Sequence, residues 1–151
     1  MTRTLRNSFG QPYLTITHEP TEGWIRNDWR GVLSVDSVMQ GASAVLDVMR
    51  ATGCQYLLND NQAVVGSWNQ ANDWIAATWM PQALALGLRR FANVASPGTF
   101  VQASAEEMRR QAGERFAMEL FTDRDTAAAW LREAQEASLT AGDFLTETRA
   151  E

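Results

Sequence analysis

Lysine is missing from these 151 residues, and all 13 basic side chains are arginine. Its absence excludes a Schiff-base lysine, a P-loop lysine and a Ser-Lys dyad. A genome whose base composition favours Arg codons explains the bias more simply than a demand for guanidinium groups. Cysteine and histidine are nearly missing too. The single cysteine, Cys54, cannot form an internal disulfide, and the single histidine, His18, excludes a multi-histidine metal site. Neither a charged-then-apolar leader nor an apolar run of about 18 residues can be found. Positive charge is in deficit, with 13 Arg against 18 Asp+Glu and a net charge of -5. That balance disfavours nucleic acid, whose phosphates need clustered positive charge, and insertion at an anionic membrane. The expectation is a protein of a bacterial-type reducing cytoplasm, with no metal and no cofactor.

What is present is ordinary globular usage, 45% hydrophobic and 21% charged. A chain of this size removes roughly two-thirds of its unfolded surface from water, enough for a core without staples. One domain over residues 1–151 is expected, its core running from about residue 12 to 137 between a polar N-terminal arm and a polar C-terminal tail.

Tyr13 to His18 alternates at period two, the Pro20 to Gly23 region turns, and Trp24 to Arg30 follows as the second strand of a hairpin. Val35, Val38, Ala42, Val45, Leu46 and Met49 then recur at helical spacing, with Ser34 as N-cap and Gly53 as the stop. Cys54 to Leu58 reads as a central strand covered on both faces, and Asn59 to Gly66 as a polar loop. Ser67-Trp68-Asn69-Gln70 fits a capping box, so a second helix should start at Trp68 and run to Leu86, broken or kinked by Pro81. Residues 89–95 form the next strand. Ser104-Ala105-Glu106-Glu107 is a further capping box, Phe116 to Phe121 the fifth strand, and Thr122 the cap of a last helix whose apolar side includes Trp130 and Leu131. Beyond Ser138 the chain reads as a polar tail in which Phe144 and Leu145 could dock. The order ββαβαβαβα predicts an α/β fold, with a mixed, mostly parallel five-stranded sheet, an antiparallel hairpin edge and helices on both faces.

In such a sheet a ligand sits beyond the carboxyl ends of the parallel strands, where the strand order reverses. This directs attention to the loop of Asn59, Asp60 and Asn61 and to the helix start at Ser67 and Trp68, whose unpaired amides suit an anion. Ser67 is equally a plain cap, and Asn and Asp favour turns for local reasons. His18 beside Glu19 reads as a surface ion pair, Cys54 as a small core residue, and Asp73 as a solvated side chain. The sequence holds six tryptophans. Trp68 and Trp79 share a stripe with Ile75, whereas Trp74 is offset by about 100° and should reach a surface or a contact.

Ser67-Trp68, Asp73-Trp74, Trp79-Met80-Pro81, Gly87-Leu88 and Phe91-Ala92-Asn93-Val94, with the ending Phe121-Thr122-Asp123, resemble the SpoIIAA-like branch of the STAS superfamily over Tyr13 to Ala137. These are small bacterial domains similar to anti-sigma-factor antagonists and to the Sec14/CRAL-TRIO C-terminal fold. The resemblance implies a non-catalytic regulatory module that binds a protein partner or a small ligand. It also implies Ser67 as the phosphoacceptor position, although no Asp-x-Ser precedes the helix here. Three readings follow. The first is a partner-binding surface from Asn59 to Trp79. The second is a carrier of a small apolar or anionic ligand, held beneath the kinked helix near Pro81. The third is an enzyme using Asp60 or His18. A homodimer through the hairpin edge or the Trp-bearing helix is compatible with each.

Overall fold

The computed structural model describes residues 1–150, with side chains described through residue 139. The elements run β1 (Thr2–Arg6), β2 (Pro12–Glu19), β3 (Trp24–Gly31), α1 (Val35–Thr52), β4 (Tyr56–Val64), α2 (Asn69–Trp74), α3 (Met80–Ala85), β5 (Arg90–Val94), α4 (Phe100–Ala112), β6 (Met118–Phe121) and α5 (Arg124–Ala150). The fold is α/β. Its one sheet has six strands in chain order, antiparallel across β1-β2-β3 and parallel from β3 to β6.

That order decides where the helices go. Successive parallel strands added in one direction by crossovers of one hand must put every connecting helix on the same face. Accordingly Val45 and Met49 of α1, Ala83 of α3, and Val101 and Met108 of α4 share a core cluster with Leu57 and Phe91 of the sheet. On the opposite face α5 packs alone, its Ala127, Leu131 and Ala134 against Tyr56, Leu58, Ala92 and Val94. The expected reversal of strand order does not occur. No switch-point crevice is therefore formed, and that basis for placing a ligand is lost.

Several local expectations are corrected. The N-terminal arm contains β1, a sixth strand, whose single apolar residue Leu5 gives no period to read; pairing with β2 organises it. β4 continues through Val64, so Asn59, Asp60 and Asn61 stand in a strand and not in a loop, held there by β3 and β5 on either side. The second helix starts at Asn69, and Ser67 makes no capping box; its Oγ accepts from Asn69 N at 3.1 Å, two residues on. α4 begins four residues before Ser104, with Thr99 as its cap, because Ser104 is turned into the core. Asp123, not Thr122, caps α5, accepting from Thr126 N at 2.8 Å. The fifth predicted strand begins only at Met118, leaving Phe116 as a core residue before it. Finally, α5 runs past Ser138, since no proline interrupts it; Phe144 and Leu145 lie outside the residues whose side chains are described.

Other readings hold. Ser34 caps α1 by accepting from Ser37 N at 3.0 Å, and Gly53, with φ 69°, closes it. Pro81 divides the second helix as expected. It has no N–H, and its ring would crowd the carbonyl one turn back. The chain answers with a π-helical turn over Ile75–Trp79, in which Met80 N–H donates to Ile75 O. Trp68, Ala71, Ile75, Trp79 and Ala83 all face inward, as their spacing predicts.

Candidate binding cavity

β3 alternates Ile25, Asn27 and Trp29 toward the helices, and β4 alternates Leu57, Asn59 and Asn61. Asn27, Asn59 and Asn93 consequently stand in one row across three neighbouring strands, in direct register. Asn27 Nδ2 donates to Asn59 Oδ1 at 2.9 Å, and Asn61 Nδ2 donates to Asn93 Oδ1. Asn93 is fully buried, with its Nδ2 near the sulfurs of Met108 and Met118 at 3.7 and 3.9 Å. A layer of carboxamides therefore crosses the middle of an otherwise apolar core. Burying amides in such a place is unfavourable unless each finds a partner.

Two polar atoms of this layer have none. Among the described residues no group hydrogen-bonds Asn27 Oδ1 or Trp29 Nε1, although Asn27 is only 1% and Trp29 6% exposed. Both residues line a cavity of ≈ 40 Å³ between the sheet, α1 and the broken helix. Its walls are Val38 and Val45 of α1, then Trp68, Ile75, Trp79 and Phe91; Asn59 and Asn61 complete the floor. None of the described lining residues carries a charge. Trp79 is fixed by an Nε1 bond to Ala42 O at 2.8 Å and by edge contact with Phe91, ring centroids 5.6 Å apart. The π-helical turn is what brings Ile75 and Trp79 together over this space. A second chamber of ≈ 230 Å³ shares Leu33, Val38 and Trp68 with the first and is bordered by Ser34, Ser67, Asn69 and Gln70.

The candidate residues named from sequence are separated by this geometry. Asn59, Asn61 and Trp68 line the cavity, and Ser67 borders the outer chamber. Asp60 points to the other face, because neighbouring strand residues alternate. There it is buried and accepts from Gln62 N at 3.0 Å and from Arg124 Nη2 at 2.9 Å. Arg124 Nη2 also reaches Asp28 Oδ1 at 2.7 Å, and Arg26 joins Asp28 to Glu19. Burial pulls the Arg26 guanidinium down, but Asp28, Glu19 and Asp60 outweigh it and hold the group above its ordinary value. Trp74 is half-buried, packed on the core's edge and not part of the cavity lining. Asp73 is exposed and accepts from Gln111, while Glu19 engages Arg26 and Trp24 Nε1 in place of the expected pairing with His18.

The exposed Ser67 hydroxyl contacts Ser104 Oγ at 2.9 Å; Ser104 Oγ also accepts from Trp68 N, and its carbonyl accepts from Asn72 Nδ2 at 3.1 Å. Ser104 thus holds the start of α2 on α4. Cys54 is buried, and burial pushes its thiol up. Sequence reasoning missed Asn27, Trp29, Asn93 and Ser104. For Asn27 a signal existed: period two places it on the same face as Ile25 and Trp29, where a carboxamide is out of character.

The chain is thus an α/β fold that holds a cavity with a neutral, aromatic-walled lining. The chain matches no protein-family model and no curated protein. Among the described residues no helix is long and apolar enough to cross a membrane, and no group of three or more His, Cys, Asp and Glu is placed to hold a metal ion.

Proposed function

We propose that this domain is a non-catalytic binding module whose cavity takes up a small uncharged molecule. Of the three readings from sequence, this is the carrier reading with the ligand's charge removed. One observation carries it: Asn27 and Trp29 line the same neutral cavity, and each carries a buried polar atom, the acceptor Oδ1 and the donor Nε1, with no partner among the described residues. Orphaned buried polar atoms each cost about 1–3 kcal/mol, so a fold that keeps two of them on residues lining one cavity is favouring something other than stability.

A partner-binding surface from Asn59 to Trp79 is less well supported, because Asn59, Asn61, Trp68 and Trp79 turn inward. Neither Asp60 nor His18 lines the cavity, which weighs against the enzyme reading. A regulatory role remains compatible, with the bound molecule as the signal.

Native mass spectrometry of freshly purified protein tests the proposal. A fraction of the chain should carry a small adduct, and Ala42→Leu, which adds bulk at the cavity wall, should remove it. A bare chain in the parent protein, or an adduct retained at full occupancy in the variant, would count against a ligand in this cavity.

A further inference from the structure

Resting on the cavity reading, we infer that the ligand presents an amide-type head, a carboxamide or the edge of a lactam, to Asn27 and Trp29. Those two residues are alternate positions of β3 and face the same way, their backbones about 7 Å apart along the strand. A ligand that satisfies both must offer a donor to Asn27 Oδ1 and an acceptor to Trp29 Nε1. A lone hydroxyl must meet both partners from one oxygen, which requires them to converge on a single point. An amide carries the two functions on different atoms and reaches further. A carboxylate has no donor and would bring charge into a site whose described lining offers no cation. An ammonium has no acceptor and would meet no anion.

Size agrees with this class. At 10–15 Å³ of such volume for each water, ≈ 40 Å³ holds about three non-hydrogen atoms, the number in a carboxamide. The remainder of the ligand would extend past Leu33, Val38 and Trp68 into the ≈ 230 Å³ chamber. Flat walls supplied by Trp68, Trp79 and Phe91 suit a planar group.

The test uses three probes of nearly one shape on the full-length ¹⁵N-labelled chain: benzamide, acetophenone and sodium benzoate. Binding is read from the Trp29 indole N–H resonance, assigned with Trp29→Phe. Benzamide should bind at least about ten-fold more tightly than either analogue, because a site built for paired hydrogen bonds rejects ligands that leave them unmade. In Asn27→Leu that preference should vanish while acetophenone still binds. A second variant, Trp29→Phe, followed through the Trp79 indole, should also weaken benzamide. Equal binding of benzamide and acetophenone would overturn the amide assignment and leave an uncharged-ligand cavity standing; tighter binding of benzoate would overturn both. No shift with any probe, together with a bare chain in the mass spectrum, would overturn both and leave ordered water as the cavity's occupant.

Discussion

Asn27 and Asn59 face each other across the parallel β3–β4 pair, joined by a 2.9 Å bond that uses Asn27 Nδ2 and leaves Asn27 Oδ1 without a partner among the described residues. The pair is half-satisfied, a state that in a core is less stable than an apolar pair of similar shape. Replacing both residues, as Asn27→Leu with Asn59→Leu, should raise stability by about 1–3 kcal/mol. For a chain of this length that corresponds to a melting point higher by roughly 2–4 °C per kcal/mol. Asn93→Leu should act oppositely, because it strands the buried Asn61 amide. Thermal unfolding of the two variants decides the matter, and a double variant less stable than the parent would make the Asn row structural.

Gly41 permits the close seat of α1 on the hairpin. A Cβ there would lie 2.5 Å from Trp29 Cη2 and 2.9 Å from Leu14 Cδ2. Gly→Ala inside a helix normally adds up to about 1 kcal/mol of stability. Here overpacking wins, and Gly41→Ala should cost about 1–3 kcal/mol in urea unfolding. Since Trp29 is the atom-contact partner, the same variant should shift the Trp29 indole signal and weaken whatever occupies the cavity.

Arg124 bridges Asp28 and Asp60 from the start of α5. Its side chain is 44% exposed, so the ion pairs alone are worth little, but Asp60 beneath it is buried. Arg124→Met leaves that carboxylate with Gln62 N as its described donor and should cost about 1–2 kcal/mol. As a control, Arg110→Met breaks the exposed pair with Glu107 and should leave the urea midpoint nearly unchanged. Equal effects would show that Asp60 needs no compensation.

Asp123 caps α5, and its carboxyl is held below the ordinary 3.8 by hydrogen bonds from the Thr126 side chain and then from backbone N–H groups. A lowered folded-state value means that the unfolded chain takes up the proton first. The cap's contribution is therefore complete above 3.8 and is lost as pH falls toward the lowered value. Denaturation followed through the acid range should show the loss. Asp123→Asn keeps an acceptor without a titration and should flatten that part of the curve; an unchanged acid slope would remove Asp123 from it.

Much of the architecture was legible because it rests on periodicity. Val38, Val45 and Met49 announced α1, and Ser34 and Gly53 marked its ends. The stripe Trp68–Ile75–Trp79 and the break at Pro81 were equally readable. β1 and the second half of β4 were not, since their residues are polar and take extended form only because neighbouring strands pair with them. The same cause hid the site. Asn59, Asp60 and Asn61 look like a turn when read locally, yet strand alternation sends two of them into a cavity and the third into an ion cluster on the opposite face.

By itself the sequence determined that strands and helices alternate, that the broken second helix buries an indole stripe, and that within these residues lysine chemistry, an internal disulfide and a multi-histidine metal site are excluded, all consequences of residue identity and short-range spacing. Tertiary structure alone decided which carboxamides meet, because Asn27, Asn59 and Asn93 are far apart in the chain and come into line only through the register of three strands. Hydrogen bonds are short and directional, so whether a buried amide is satisfied depends on that register and cannot be read from any single segment.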